Sequence, residues 1–189
     1  MRMKNAATTM LPALLCALLL ATGAGATVYE FNGHYYEPVL VPEGVTWSEA
    51  VDVATRCNGY LATITSQAED EFVYSLIDEP AYWWQTYGGP WLGGTDFGHE
   101  GTWTWVTGES WTYTNWWPSG QPDNAGGTEH YLQYHGGPLN VGDPYGYLGQ
   151  RRWNDVSGDL PLRGYVIEWS DSALPNEQST WGGVKSLFR

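Results

Sequence analysis

Two clusters of oxygen-bearing side chains constrain this chain most. The first is Gln121-Pro122-Asp123, with Glu129 eight residues after Gln121, and the second is Trp153-Asn154-Asp155. The candidate ligands Gln121, Asp123, Glu129, Asn154 and Asp155 offer oxygen only, with no histidine or cysteine among them. Such a set suits a hard cation such as Ca2+. Any fold that uses it must bring the two clusters together. Pro122 fixes the backbone at the centre of the first cluster. Taken alone, Gln121-Pro122-Asp123-Asn124 also reads as an ordinary polar turn, because Pro, Asp and Asn are turn residues. Glu129 and the second cluster tilt the reading toward a cation-held binding site and away from a catalytic one.

The N-terminus points to export. Arg2 and Lys4 precede an apolar run from Leu11 to Leu20, and Ala24-Gly25-Ala26 offers a small-residue cleavage pattern. Residues 1–26 therefore read as a secretory signal peptide, and the mature protein is expected to be secreted or at the cell surface. The apolar run is too short to span a bilayer comfortably. Cleavage would leave 163 of the 189 residues, one domain's worth. Loss of Arg2 and Lys4 leaves six basic residues against 21 acidic ones, a formal charge of −15. That balance argues against nucleic acid and anionic membrane surfaces as partners. Cleavage would also leave Cys57 as the one cysteine, expected to be a buried free thiol.

Periodicity divides the remainder into two halves. Tyr29 to Val41 is rich in aromatic and β-branched residues and reads as one or two strands with a turn at Gly33. Thr46-Trp47-Ser48-Glu49 and Ser66-Gln67-Ala68-Glu69 are capping boxes that open two helices. The first carries Trp47, Ala50, Val51 and Ala54 at helical spacing and ends at Asn58-Gly59. The second carries Phe72, Val73, Leu76 and Ile77 and stops at Pro80, with Asp70 and Glu71 expected on its solvated face. Tyr60 to Ile64, Trp91 to Gly94, Thr102 to Val106, Tyr131 to Tyr134 and Gly164 to Trp169 read as strands. The result is an α+β arrangement, two helices followed by small antiparallel sheets and a long loop region.

The ordered pieces resemble the C-type lectin-like domain. They are Trp47-Ser48-Glu49-Ala50, Tyr60-Leu61-Ala62-Thr63-Ile64, Glu69 with Phe72, Trp91-Leu92-Gly93-Gly94, Gln121-Pro122-Asp123, Trp153-Asn154-Asp155 and Gly164-Tyr165-Val166-Ile167-Glu168. The resemblance implies a domain over residues 27–171 and a separate tail over 172–189. It implies a calcium site formed by Gln121, Asp123, Glu129, Asn154 and Asp155, with Pro122 preceded by a cis bond. The same side chains would bind two vicinal hydroxyls of a hexose. The Gln-Pro-Asp order resembles the galactose-selecting form.

The chain departs from the family's pattern in places. Ile167 stands where a partner for Cys57 is usual, and Tyr131 where another cysteine is usual. His130 and Asn124 weaken an auxiliary calcium site. Ala125-Gly126-Gly127 occupies the place of the aromatic residue that often stacks on galactose. Trp153 reads as core. Trp83, Trp84, Trp116 and Trp117 read as core or loop anchors first and sugar platforms second, as do Tyr145 and Tyr147 in the long loop. Two functions follow: a calcium-dependent carbohydrate-binding domain, or a protein-interaction or structural domain that keeps the fold without sugar. Neither is an enzyme, and no nucleophile elbow, phosphate loop or zinc motif is present.

Overall fold

The computed structural model describes residues 27–83, 88–118, 120–135 and 151–170. The signal-peptide, tail, Trp84, Tyr145 and Tyr147 expectations lie outside these residues. The chain opens on a hairpin of β1 (Tyr29–Phe31) and β2 (His34–Val45). Its two turn residues, Asn32 and Gly33, have φ of 52° and 82°. Asn-Gly suits this position because a two-residue hairpin turn with the twist of its strands needs positive φ at both.

Helix α1 (Trp47–Arg56) follows, and both arms of its capping box form. The Thr46 N–H donates to Glu49 Oε2 at 3.0 Å, and the Glu49 N–H donates to Thr46 Oγ1 at 3.4 Å. Asn58, with φ of 59°, turns the chain out of the helix into β3 (Tyr60–Leu61). Helix α2 (Gln67–Ile77) has only half of the expected box. Ser66 Oγ accepts from the Glu69 N–H, but Glu69 turns elsewhere. Its carboxylate accepts from the Thr65 N–H, the Thr65 hydroxyl and the Tyr36 hydroxyl. Glu69 thus ties α2 to β2.

The second half supplies β4 (Gly88–Thr95), β5 (Thr104–Trp105), β6 (Tyr131–His135), β7 (Arg152–Val156) and β8 (Leu162–Ser170). The sheet order is β1-β2-β8-β4-β6-β7, with β3 beside β8 and β5 beside β4. All pairings are antiparallel except β4 with β8, which meet in parallel at Trp91 and Tyr165. In the sequence, strand β7 shows only as a ligand cluster. It pairs along its length with β6, so that Asn154 lies opposite Gln133 and Asp155 opposite Leu132. Gly93 has no room for a side chain. A Cβ there would lie 2.4 Å from the Leu61 carbonyl oxygen.

One apolar cluster packs α2 against Leu92, Leu132, Trp105 and Trp153. The other packs α1 against Leu61, Trp91, Ile167 and Trp169. Trp153 is fully buried among the rings of Trp105, Trp111, Tyr113 and Trp116. Cys57 and Ile167 share the second cluster, as the resemblance implies. The expected buried free thiol is corrected: Cys57 is disulfide-bonded and only half-buried.

A second correction concerns Asp70, which is fully buried rather than solvated. It accepts from Tyr134 Oη at 2.8 Å, Asn115 Nδ2 at 2.6 Å, Tyr113 Oη at 3.1 Å and Trp153 Nε1 at 3.2 Å. These donors come from distant loops and strands, so helical periodicity alone could not reveal them.

Glu168 is also fully buried. It faces His34, Tyr60 and Thr63, with Glu69 nearby. Burial pushes its carboxyl up to about 7 from the usual 4.5; the Thr63 N–H and His34 pull the other way. Protonation therefore favours the folded state. This contribution is complete below the ordinary carboxylate range and is lost as pH rises through the folded value. In chelator, the melting temperature should fall between about pH 5 and pH 8, and Glu168→Gln should flatten that slope. A variant with the wild-type slope would assign the dependence to other groups.

Candidate metal centre

The second half of the chain brings the two oxygen clusters together by riding on β7. Trp116 and Trp153 form an isolated parallel bridge. The Trp153 N–H donates to the Asn115 carbonyl, and the Trp117 N–H donates to the Trp153 carbonyl, both at 2.9 Å. The Gln121 N–H then donates to the Trp117 carbonyl at 3.2 Å. A cis bond joins Gln121 to Pro122. The chain emerging from Pro122 meets Asp155 directly. Asp155 Oδ1 accepts from the Asp123 N–H at 3.2 Å, and Oδ2 accepts from the Asn124 N–H at 2.7 Å.

Carboxylate oxygens of Asp123, Glu129 and Asp155 lie within 4.8 Å of one another. Asp155 is buried, Glu129 half-buried and Asp123 exposed, so the group runs from the interior to the surface. Asn124 organises the turn between them, with φ of 45°. Its Oδ1 accepts from the Glu129 N–H at 3.0 Å, and Glu129 Oε2 accepts from the Ala125 N–H at 3.1 Å. Two orphaned acceptors belong to the same clusters. Gln121 Oε1 and Asn154 Oδ1 are buried without a hydrogen-bond partner among the described residues. Asn154 instead donates its Nδ2 to the Asp155 carbonyl at 2.7 Å.

The electrostatics of this group favour a cation. Burial, then the nearby Asp155 and Asp123, pushes the Glu129 carboxyl up to about 7, against the Ala125 N–H bond. Burial likewise raises Asp155, opposed by the backbone N–H bonds it receives. Crowded carboxylates resist joint ionisation, and a divalent ion between them would reverse that. The three carboxylates that lie together are an all-oxygen group of the kind Ca2+ takes, and Gln121 and Asn154 stand next to that group in sequence. The donor set therefore fits a hard cation.

The fold also assembles a second group that no sequence spacing marks as a metal candidate. Asp96, Glu100 and His130 offer ligand atoms within 4.8 Å of one another. His130 Nδ1 lies 3.0 Å from Asp96 Oδ1 and 3.4 Å from Glu100 Oε2. Glu100 also accepts from Asn124 Nδ2. The imidazole thus engages both carboxylates itself. Spacing along the chain hid this group, because Asp96 and Glu100 follow β4 while His130 precedes β6.

The comparisons with known proteins agree with this architecture. A model of the lectin C-type domain matches residues 43–159. Perlucin of Haliotis laevigata is 35% identical over 118 residues, covering 61% of this chain and 65% of perlucin. Halomucin of Haloquadratum walsbyi is 28% identical over 164 residues, covering 80% of this chain but only 2% of halomucin. Both shares fall below two thirds of the relative's own length. Among solved structures, the cow CD23 C-type carbohydrate-recognition domain, crystallised in the presence of GlcNAc2Man3 oligosaccharide, superposes with a TM-score of 0.60 at 24% identity. That likeness covers 79% of this chain and 96% of the cow domain. Two helices against a sheet of this order, matched by the family over most of its length, place this chain in the C-type lectin domain family.

Proposed function

We propose that this protein is a secreted, calcium-dependent carbohydrate-binding domain, with Gln121, Asp123, Glu129, Asn154 and Asp155 as the calcium ligands. The observation that carries the reading is the pair of buried, unpartnered amide oxygens of Gln121 and Asn154. An orphaned buried acceptor is costly unless it receives a ligand. Each orphan stands beside one of the three carboxylates in sequence, Gln121 two residues before Asp123 and Asn154 next to Asp155. The bound ion would supply two coordination positions to vicinal hydroxyls of a hexose. The same carboxylates would accept hydrogen bonds from those hydroxyls, and the Gln121 and Asn154 amides would donate to them. Sugar binding would therefore require the metal. Export rests on the leader pattern of residues 1–26; among the described residues no helix is long and apolar enough to cross a membrane.

The test is a calorimetric titration with Ca2+, followed by a panel of neutral hexoses with and without chelator. Extracellular sites of this kind hold Ca2+ with Kd of about 10⁻⁴–10⁻³ M. Heat from hexoses only when calcium is present supports the reading. Hexose binding that survives chelation would overturn it.

A finer expectation concerns sugar choice. The amide at Gln121 both donates and accepts, while the carboxylate at Asp123 only accepts. Their order selects which hydroxyl pair fits, and the present order favours galactose-type over mannose-type hexoses. The double exchange Gln121→Glu with Asp123→Asn should shift the preference toward mannose. A glycan array dominated by mannose for the natural sequence would contradict this.

A further inference from the structure

The chain carries 8 basic residues against 21 acidic ones, yet two arginines stand side by side at 151 and 152. They line a polar cavity of about 430 Å3 together with Gln67, Tyr113, Thr114 and Asn115. The cavity lies between the start of α2, the loop leading to Trp116 and the start of β7. Its size suits a small ligand such as one or two sugar units.

The donors in this cavity outnumber their acceptors. Arg152 donates through Nη1 to Asn115 Oδ1 at 2.5 Å and has no ion-pair partner among the described residues. Arg151 pairs through Nη2 with Glu71 Oε1 at 2.8 Å, but its buried Nη1 has no partner among the described residues. Glu71 is also engaged by Gln67 Nε2 at 3.0 Å. Another nearby carboxylate, Asp70, is sealed in the core behind Tyr113 and Asn115, which both donate to it. A guanidinium presents five N–H groups in a flat fork that matches an oxyanion. Two such forks, one with an orphaned buried N–H, therefore leave an anion's place open. Tyr113 also lines the cavity, an aromatic side chain of the kind that suits sugar contacts.

We propose that this cavity is an oxyanion-binding subsite, which takes the carboxylate or sulfate group of an acidic saccharide without calcium. It uses none of the candidate calcium ligands and goes beyond the function proposed above. In a protein of this net charge the long-range field repels anions, so the affinity must come from the local forks and should weaken with salt.

The test uses the full chain in chelator at low salt, so that its outcome is separate from that of the calcium site. Glucuronate, galactose 6-sulfate, inorganic sulfate and neutral galactose are titrated by calorimetry. Glucuronate, galactose 6-sulfate or both should bind, and galactose should not. The pattern tells carboxylate from sulfate ester. Arg152→Gln should weaken the acidic sugar about tenfold or more, and Arg152→Lys should restore only part of the loss. Thr114 is exposed, so Thr114→Glu places a carboxylate at the mouth without touching the core. It should block binding even if Arg152→Gln fails to fold. Equal binding of galactose and glucuronate, binding of inorganic sulfate alone, no heat from any probe, or an unaffected Thr114→Glu protein would each overturn the proposal.

Discussion

Asp155→Ala should abolish the calcium response of this protein. In the wild type, ten-millimolar Ca2+ against the Kd range above should add about 1.4–2.7 kcal/mol of stability. For a domain of this size that is a rise in melting temperature of roughly 3–10 °C. Asp155 is the buried member of the carboxylate group and also the acceptor for the Asp123 and Asn124 N–H groups. Alanine would remove a ligand and release the turn that carries two more. Differential scanning with and without Ca2+ would read this directly. Asp123→Ala, at an exposed position, should give the same loss of response with little change in the calcium-free melting temperature. A rise that persists in both variants would move the cation elsewhere. His130→Ala would then ask whether it sits with Asp96 and Glu100.

Asp70→Ala should be the more damaging change to the fold. It would leave two tyrosine hydroxyls, an indole N–H and an amide N–H without their acceptor. Removing one partner from a buried charged network costs about 3–5 kcal/mol. That corresponds to a fall of roughly 6–20 °C in melting temperature. Burial raises the Asp70 carboxyl, and the four donors oppose that rise, so the group is held by them as much as it holds them. Asp70→Asn retains an acceptor oxygen and should cost clearly less. Urea denaturation of the two variants side by side would measure the difference; equal costs would mean that the charge, rather than the acceptor, matters. Trp153 adjoins Asn154 and Asp155, so loosening its indole should also weaken the calcium response. A wild-type calcium response in Asp70→Ala would show that the backbone pairings of the ligand strand, with β6 and with Asn115 and Trp117, hold it without the Asp70 bond.

Local chemistry was legible in the sequence because it acts over a few residues. Thr46 and Glu49 cap one helix, Asn32-Gly33 turns one hairpin, and apolar spacing sets the faces of α1 and α2. The same reasoning stopped at Ser66 and Glu69, where the expected reciprocal bond is given up for Tyr36 on a distant strand. The ligand types and the proline of the candidate site were also visible. Their convergence was not, since it depends on Trp116 and Trp117 running beside Trp153 and on β7 pairing with β6.

What only the tertiary structure decided is where charge is buried. Asp70 and Glu71 are neighbours in sequence, yet one is sealed among four donors and the other is half exposed at an arginine. Asp96, Glu100 and His130 form a group that no spacing announced. Arg151 and Arg152 became a pocket only when α2 and the loop before Trp116 closed around them. Sequence determines the donors and acceptors and the local turns. Desolvation and long-range pairing depend on which segments pack together, so the energetics of every buried polar group here were set by the assembled fold.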